Sequence, residues 1–163
     1  MTELDLTRSP DDRRRYVLHG VGALRLEGSF SRSATAEAAT GTWHLDRRGF
    51  WQRHVVATNQ AGVVDGEFAP RDIRRGGALR WGDRELTLHP VSALRERYAL
   101  AENGRELARI DGRSWGRRPV TVTLPERDAV EPGLLLFACF VVRHLARNAD
   151  SSSASSSAAA ASG

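Results

Sequence analysis

A mainly β domain built around one strongly apolar helix near the C-terminus is the fold class this sequence predicts, and three observations predict it. Most of the chain alternates apolar and polar residues with period two, broken at short intervals by turn residues. One segment, Gly133 through Val142, carries no charged residue and is apolar on every face of a helix. That segment is about ten residues long, against the roughly 20 needed to span a bilayer. The 163 residues suffice for one domain with a substantial core.

The strands follow in order. In Ala23 to Phe30, Leu24, Leu26 and Phe30 share one parity while Arg25, Glu27 and Ser29 share the other, so one face is dry and one wet. Thr42 to Asp46 repeats the alternation, Arg47-Arg48 leads into Gly49, and Phe50 to Thr58 resumes an extended pattern, which reads as a hairpin. Gly62 to Ala69 ends at Pro70, and a loop with Arg74, Arg75, Gly76 and Gly77 follows. Ala78 to Trp81 and Glu85 to Leu88 flank Gly82-Asp83. Tyr98 to Ala101 and Glu106 to Ile110 flank Asn103-Gly104, the strongest hairpin signal in the chain. Pro119 to Leu124 sets Val120, Val122 and Leu124 against Thr121 and Thr123. Roughly eight to twelve short strands at this spacing imply a sandwich or a barrel.

The pattern then changes. Asp128 to Pro132 places carboxylates and a proline where a helix begins, and Arg143, His144 and Arg147 suit the negative pole at its end, which predicts a helix over Pro132 to Arg147. A helix apolar all round is surrounded by lipid or by protein; its length disfavours a span and leaves enclosure by the strands. Residues 1–14 are polar and read as a flexible leader, 15–148 as the domain, and the Ser/Ala run 149–163, with no large apolar side chain to bury, as a disordered tail.

Composition narrows function more than it defines it. The formal charge is +4, and every basic residue is Arg, a bias most simply attributed to a GC-rich genome. An Arg-rich surface can hold phosphate or carboxylate bidentately without having been built for it. Cys139 is the single cysteine and lies in the apolar run, which excludes an internal disulfide or a thiolate-rich metal site and marks it as a core residue. No apolar signal-peptide run precedes Arg15, so the cytoplasm is the default compartment.

The run of hairpins, Asn103-Gly104-Arg105-Glu106-Leu107-Ala108, then Arg117-Arg118-Pro119-Val120 and Glu131 through Arg143, resembles the tubby C-terminal-like superfamily, which includes the LURP-one-related proteins and the phospholipid scramblases. The resemblance spans about Tyr16 to Arg147. It implies a closed antiparallel barrel of about twelve strands threaded by the hydrophobic helix, and a place at the membrane surface on phospholipid head groups. The chain has neither the Asp-x-Asp-x-Asp loop nor the cysteine cluster and proline-rich leader of the scramblases, so calcium binding, scrambling and lipidation are not carried over.

Chemistry read from the residues is sparse. His19, His44, His54, His89 and His144 lack metal-ligand spacing, Gly20-Val21-Gly22 lacks the third glycine and helix of a dinucleotide loop, and Ser114-Trp115-Gly116 is no nucleophile elbow. No cofactor or metal is expected. The carboxylate pairs Asp65 with Glu67 and Glu102 with Glu106 read as solvated faces, and Trp43, Trp51, Trp81 and Trp115 as core aromatics more than base-stacking platforms. The sharpest candidates are three doublets beside glycine or proline, Arg47-Arg48, Arg74-Arg75 and Arg117-Arg118, which loops could gather at one barrel end around a phosphate-bearing group. The expectation is a non-enzymatic binding or scaffold domain, peripheral to the membrane, with anionic phospholipid as partner. The rivals are a small enzyme with its site at a barrel mouth and an Arg-rich nucleic-acid-binding barrel.

Overall fold

The computed structural model describes residues 1–28, 32–49, 54–71, 76–113 and 117–160, the last of these from 150 onward as backbone alone. Twelve strands run in chain order: β1 (Thr2–Arg8), β2 (Arg15–Leu18), β3 (Gly22–Glu27), β4 (Ser33–Ala38), β5 (Gly41–Arg48), β6 (His54–Asn59), β7 (Val64–Arg71), β8 (Gly76–Trp81), β9 (Arg84–Pro90), β10 (Arg97–Glu102), β11 (Arg105–Gly112) and β12 (Val120–Leu124). Each is antiparallel to its neighbours in sequence, and β1 pairs with β12 to close the barrel. Closure leaves no unpaired strand edge. A helix, α1 (Pro132–Ala160), threads the interior.

The period-two pattern sets which side chains face inward. Leu24, Leu26, Leu45, Leu79, Val120, Val122 and Leu124 are buried, while Arg25 and His44 between them are exposed. Against these walls, Leu134 through Val142 are buried without interruption. An apolar side chain enclosed in this way contributes on the order of 1.5–3 kcal/mol, and the helix and the inward strand residues packed on it together form one core. Cys139 lies in this run, and burial pushes its thiol up to about 12, which makes it inert packing. The Asn103-Gly104 hairpin forms as its sequence predicts: Glu102 pairs with Arg105, and both turn residues have positive φ, +50° and +79°.

Three expectations are corrected. Residues 1–14 are not a loose leader: β1 registers with β12 and β2, and Leu6 is fully buried. Leu4 and Leu6 alternate with Glu3 and Asp5, a short period-two signal masked by the polar residues around it. The helix continues through the Ser/Ala run to Ala160. Extending a helix already nucleated in the barrel needs no new nucleus, and alanine has the highest helix propensity. Arg143, His144 and Arg147 therefore sit in mid-helix and gain nothing from its negative pole.

The upper end of the barrel, where α1 begins, is sealed by aromatics. Trp43 and Trp81 lie 5.4 Å apart between ring centroids, and Trp81 is 5.7 Å from Phe137. Gly133 passes under both indoles: a Cβ there would lie 2.6 Å from Trp43 and 2.8 Å from Trp81. Gly133→Val is thus expected to destabilise by about 1–3 kcal/mol through overpacking. Leu6→Ala should cost about 2–5 kcal/mol as a cavity in a closing strand, and Phe137→Asp should abolish folding by burying an unpaired charge. Urea denaturation measures all three; an unchanged midpoint for Leu6→Ala would return residues 1–14 to a leader.

Candidate functional site

Because the strands alternate direction, every second connection lies at the same end. The lower end, where α1 leaves the barrel, receives the β1–β2, β3–β4, β5–β6, β7–β8, β9–β10 and β11–β12 connections. Arg13, Arg14, Arg32, Arg95, Arg113, Arg117 and Arg118 are exposed there. Four of these connections form one continuous arc around the barrel seam, from β9–β10 through β11–β12 and β1–β2 to β3–β4. The contact between two of them is direct, since the Arg8 amide donates to the Arg117 carbonyl at 3.0 Å. Leu94 stands at 96% exposure beside Arg95.

The candidate doublets sort differently. Arg117 and Arg118 are in the arc; Arg118 reaches Asp5 at 3.3 Å and remains largely exposed. Arg48 points outward and pairs loosely with Asp46 at 3.7 Å. Arg47 has the inward parity of Trp43 and Leu45, so it enters the lower mouth, where Nη1 lies 2.7 Å from His144 Nδ1 and Nε donates to the Arg32 carbonyl. Arg74 and Arg75 lie outside the described residues, as do Phe30, Trp51 and Trp115. Arg13, Arg14, Arg32, Arg95 and Arg113 were not singled out from sequence, because their common position depends on strand count.

Within the mouth the charge is concentrated. Burial lowers Arg47 from its ordinary value, and the nearby Arg147, Arg32 and Arg143 lower it further. Burial likewise lowers Arg143, whose guanidinium stacks 5.8 Å from the Tyr16 ring centroid. A guanidinium can only donate, so the 2.7 Å contact requires His144 Nδ1 to accept and its proton to sit on Nε2. Asn148 lies 3.3 Å from Nε2, which fits an amide turned to present its oxygen.

The upper end has the opposite character, with Asp83, Glu126, Asp128 and Glu131 against Arg127 in its connections. A bulge between β6 and β7 makes Asp65 the extra residue: Ala57 faces Gly66 while Thr58 faces Val64. It accepts from Trp43 Nε1 at 2.9 Å and from Asn59 Nδ2 at 3.2 Å. Trp81 Nε1 donates to Glu131 at 3.3 Å, while Arg84 bridges Glu102 in two bonds, at 2.9 and 3.0 Å, and Glu131 at 3.5 Å. Glu67 pairs with His54 and Arg80, and Glu106 with Arg109. Neither carboxylate pair considered from sequence therefore forms a joint acid–base site. Among the described residues no group of three or more His, Cys, Asp or Glu side chains could hold a metal ion, and no helix is long and apolar enough to cross a membrane.

Comparison with protein-family models, with curated proteins and with solved structures finds no match for this chain.

The Arg84 bridge makes one pH prediction. Its hydrogen bonds hold the Glu102 carboxyl below its ordinary value. A carboxylate shifted this way stabilises the fold above its unfolded pKa and loses that contribution as pH falls through the lower folded one. Glu102→Gln should melt below the parent at neutral pH, and the two curves should converge in acid. A constant offset across the titration would assign Glu102 a packing role instead.

Proposed function

We propose that this barrel is a non-enzymatic binding domain whose lower end holds the phosphate-bearing head groups of anionic phospholipid at a membrane surface. The observation that carries this reading is the arginine arc: four consecutive connections place exposed guanidinium groups on one side of the rim. Guanidinium matches phosphate oxygens bidentately and stays charged at all physiological pH values. Leu94, almost fully exposed within the arc, adds an apolar contact suited to the head-group boundary.

Two further features support it. The interior is filled by α1, which leaves the outer surface, the rims included, for ligands. The upper end is acidic, so an anionic surface orients the molecule lower end down. Because α1 continues to Ala160 through that same end, approach is from one side of the rim rather than face-on. The closed barrel around a hydrophobic helix is also the architecture that the tubby-like resemblance implies.

Co-sedimentation with vesicles tests the proposal. Phosphatidylserine-containing vesicles should pellet the protein at low salt, and phosphatidylcholine alone should not. Each basic residue near the surface contributes about 1 kcal/mol. Replacing Arg13, Arg14, Arg117 and Arg118 with Ser should therefore weaken binding by at least about tenfold, whereas Arg105→Ser at the upper end should leave it unchanged. Absence of binding to phosphatidylserine vesicles would sink the reading. Equally tight, salt-sensitive binding to duplex DNA, lost in the same variant, would reduce the arc to a general polyanion surface.

A further inference from the structure

A cavity of about 330 Å³ opens at the upper end, between the start of α1 and the seam of the barrel. It is separate from the arginine arc. Its walls include Leu4 of β1, Val21 of the β2–β3 turn, Leu124 of β12, Ala129 and Leu135. Leu4, Val21 and Ala129 pack on the core yet stay partly exposed. Apolar surface is thus left uncovered at this hollow, whose size is at the small end of ligand pockets.

The polar side chains at the hollow are unequal. Arg84 is committed to Glu102 and Glu131. Arg127 has no ion pair or side-chain hydrogen bond among the described residues. It lies across the β2–β3 turn at Gly20, where φ is +76° and a Cβ would sit 2.9 Å from Arg127 Nη2. The turn therefore needs glycine for its backbone, and the guanidinium rests against it. Asp128 stands beside it on the same single turn of 3-10 helix (Arg127–Ala129) and places a negative charge on the rim.

We infer that this hollow binds a small apolar monocarboxylate, its chain against Leu4, Val21, Leu124 and Ala129 and its carboxylate on Arg127. The uncommitted guanidinium selects an anionic head. Asp128 on the rim disfavours a second negative charge, so a dicarboxylate binds more weakly. The apolar part of the wall, Leu4, Val21, Leu124 and Ala129, accepts a short alkyl chain.

Hexanoate is the test ligand, titrated into the full chain labelled with ¹⁵N, with hexan-1-ol and adipate in parallel. Saturable shifts of the Val21 and Ala129 amides with hexanoate, at millimolar Kd or tighter, are expected, with hexan-1-ol and adipate at least about tenfold weaker. Arg127→Gln should weaken hexanoate by about the same factor without moving the thermal midpoint, since Arg127 is exposed. Arg127→Lys should restore part of the affinity. Equal affinity for hexan-1-ol, an unchanged Arg127→Gln variant, or no saturable shift would each overturn the assignment. Vesicle binding through the arginine arc is read separately, so either result stands without the other.

Discussion

Everything else in this molecule depends on the burial of an all-apolar helix inside a closed barrel. A ring of twelve strands encloses more volume than its own inward side chains fill, and a helix bare on every face has no stable place in water. Each solves the other's problem. The seal at the top follows from it: Gly133 lets two indoles close over the helix start, and their N–H groups are satisfied by Asp65 and Glu131. Closure at the seam follows too, because without β1 the β2 and β12 edges would be open and Leu6 would leave a gap over the helix.

A filled interior also decides where chemistry can be. With the core occupied, the interior holds no ligand site, and the up-and-down topology turns a linear pattern into a spatial one on the rims. Connections alternate between ends, so arginines about one hairpin apart in sequence arrive on the same rim, where they outnumber Asp11, Asp12 and Glu96, while acidic residues outnumber basic ones in the connections of the other. The resulting charge asymmetry is invisible in the modest net charge of +4. It arises from the order of turns.

The fold was legible from sequence where one signal acted alone. Alternation at Leu24, Leu26, Val120 and Val122, the Asn103-Gly104 turn and the apolar run from Gly133 were each unopposed, and each appears in the structure as read. Legibility failed where two signals competed. At Leu4 and Leu6 the alternation was too short to outweigh the polar residues around it, so a closing strand looked like a leader. In the Ser/Ala run, the absence of a core-forming side chain was weighed above helix propensity. Asp65 shares a parity with Glu67 in the sequence, and a bulge beside Gly66 redirects it to Trp43; the glycine is the one residue there that signals a bulge.

The candidate site shows the same limit more sharply. That loops carry arginine is evident from sequence; which arginines face outward depends on register. Arg47 and Arg48 are adjacent and chemically identical, yet pleating sends one into the lower mouth against His144 and the other to the surface beside Asp46. Their roles divide accordingly. Arg47, on β5, shares the mouth with Arg143 and Arg147 of the helix, and burial together with these like charges lowers Arg47 and Arg143 from their ordinary value. Charge held there by guanidinium groups is constant across physiological pH. In the contact with Arg47 the imidazole of His144 serves as acceptor, so the charge that meets at this mouth is carried by guanidinium groups.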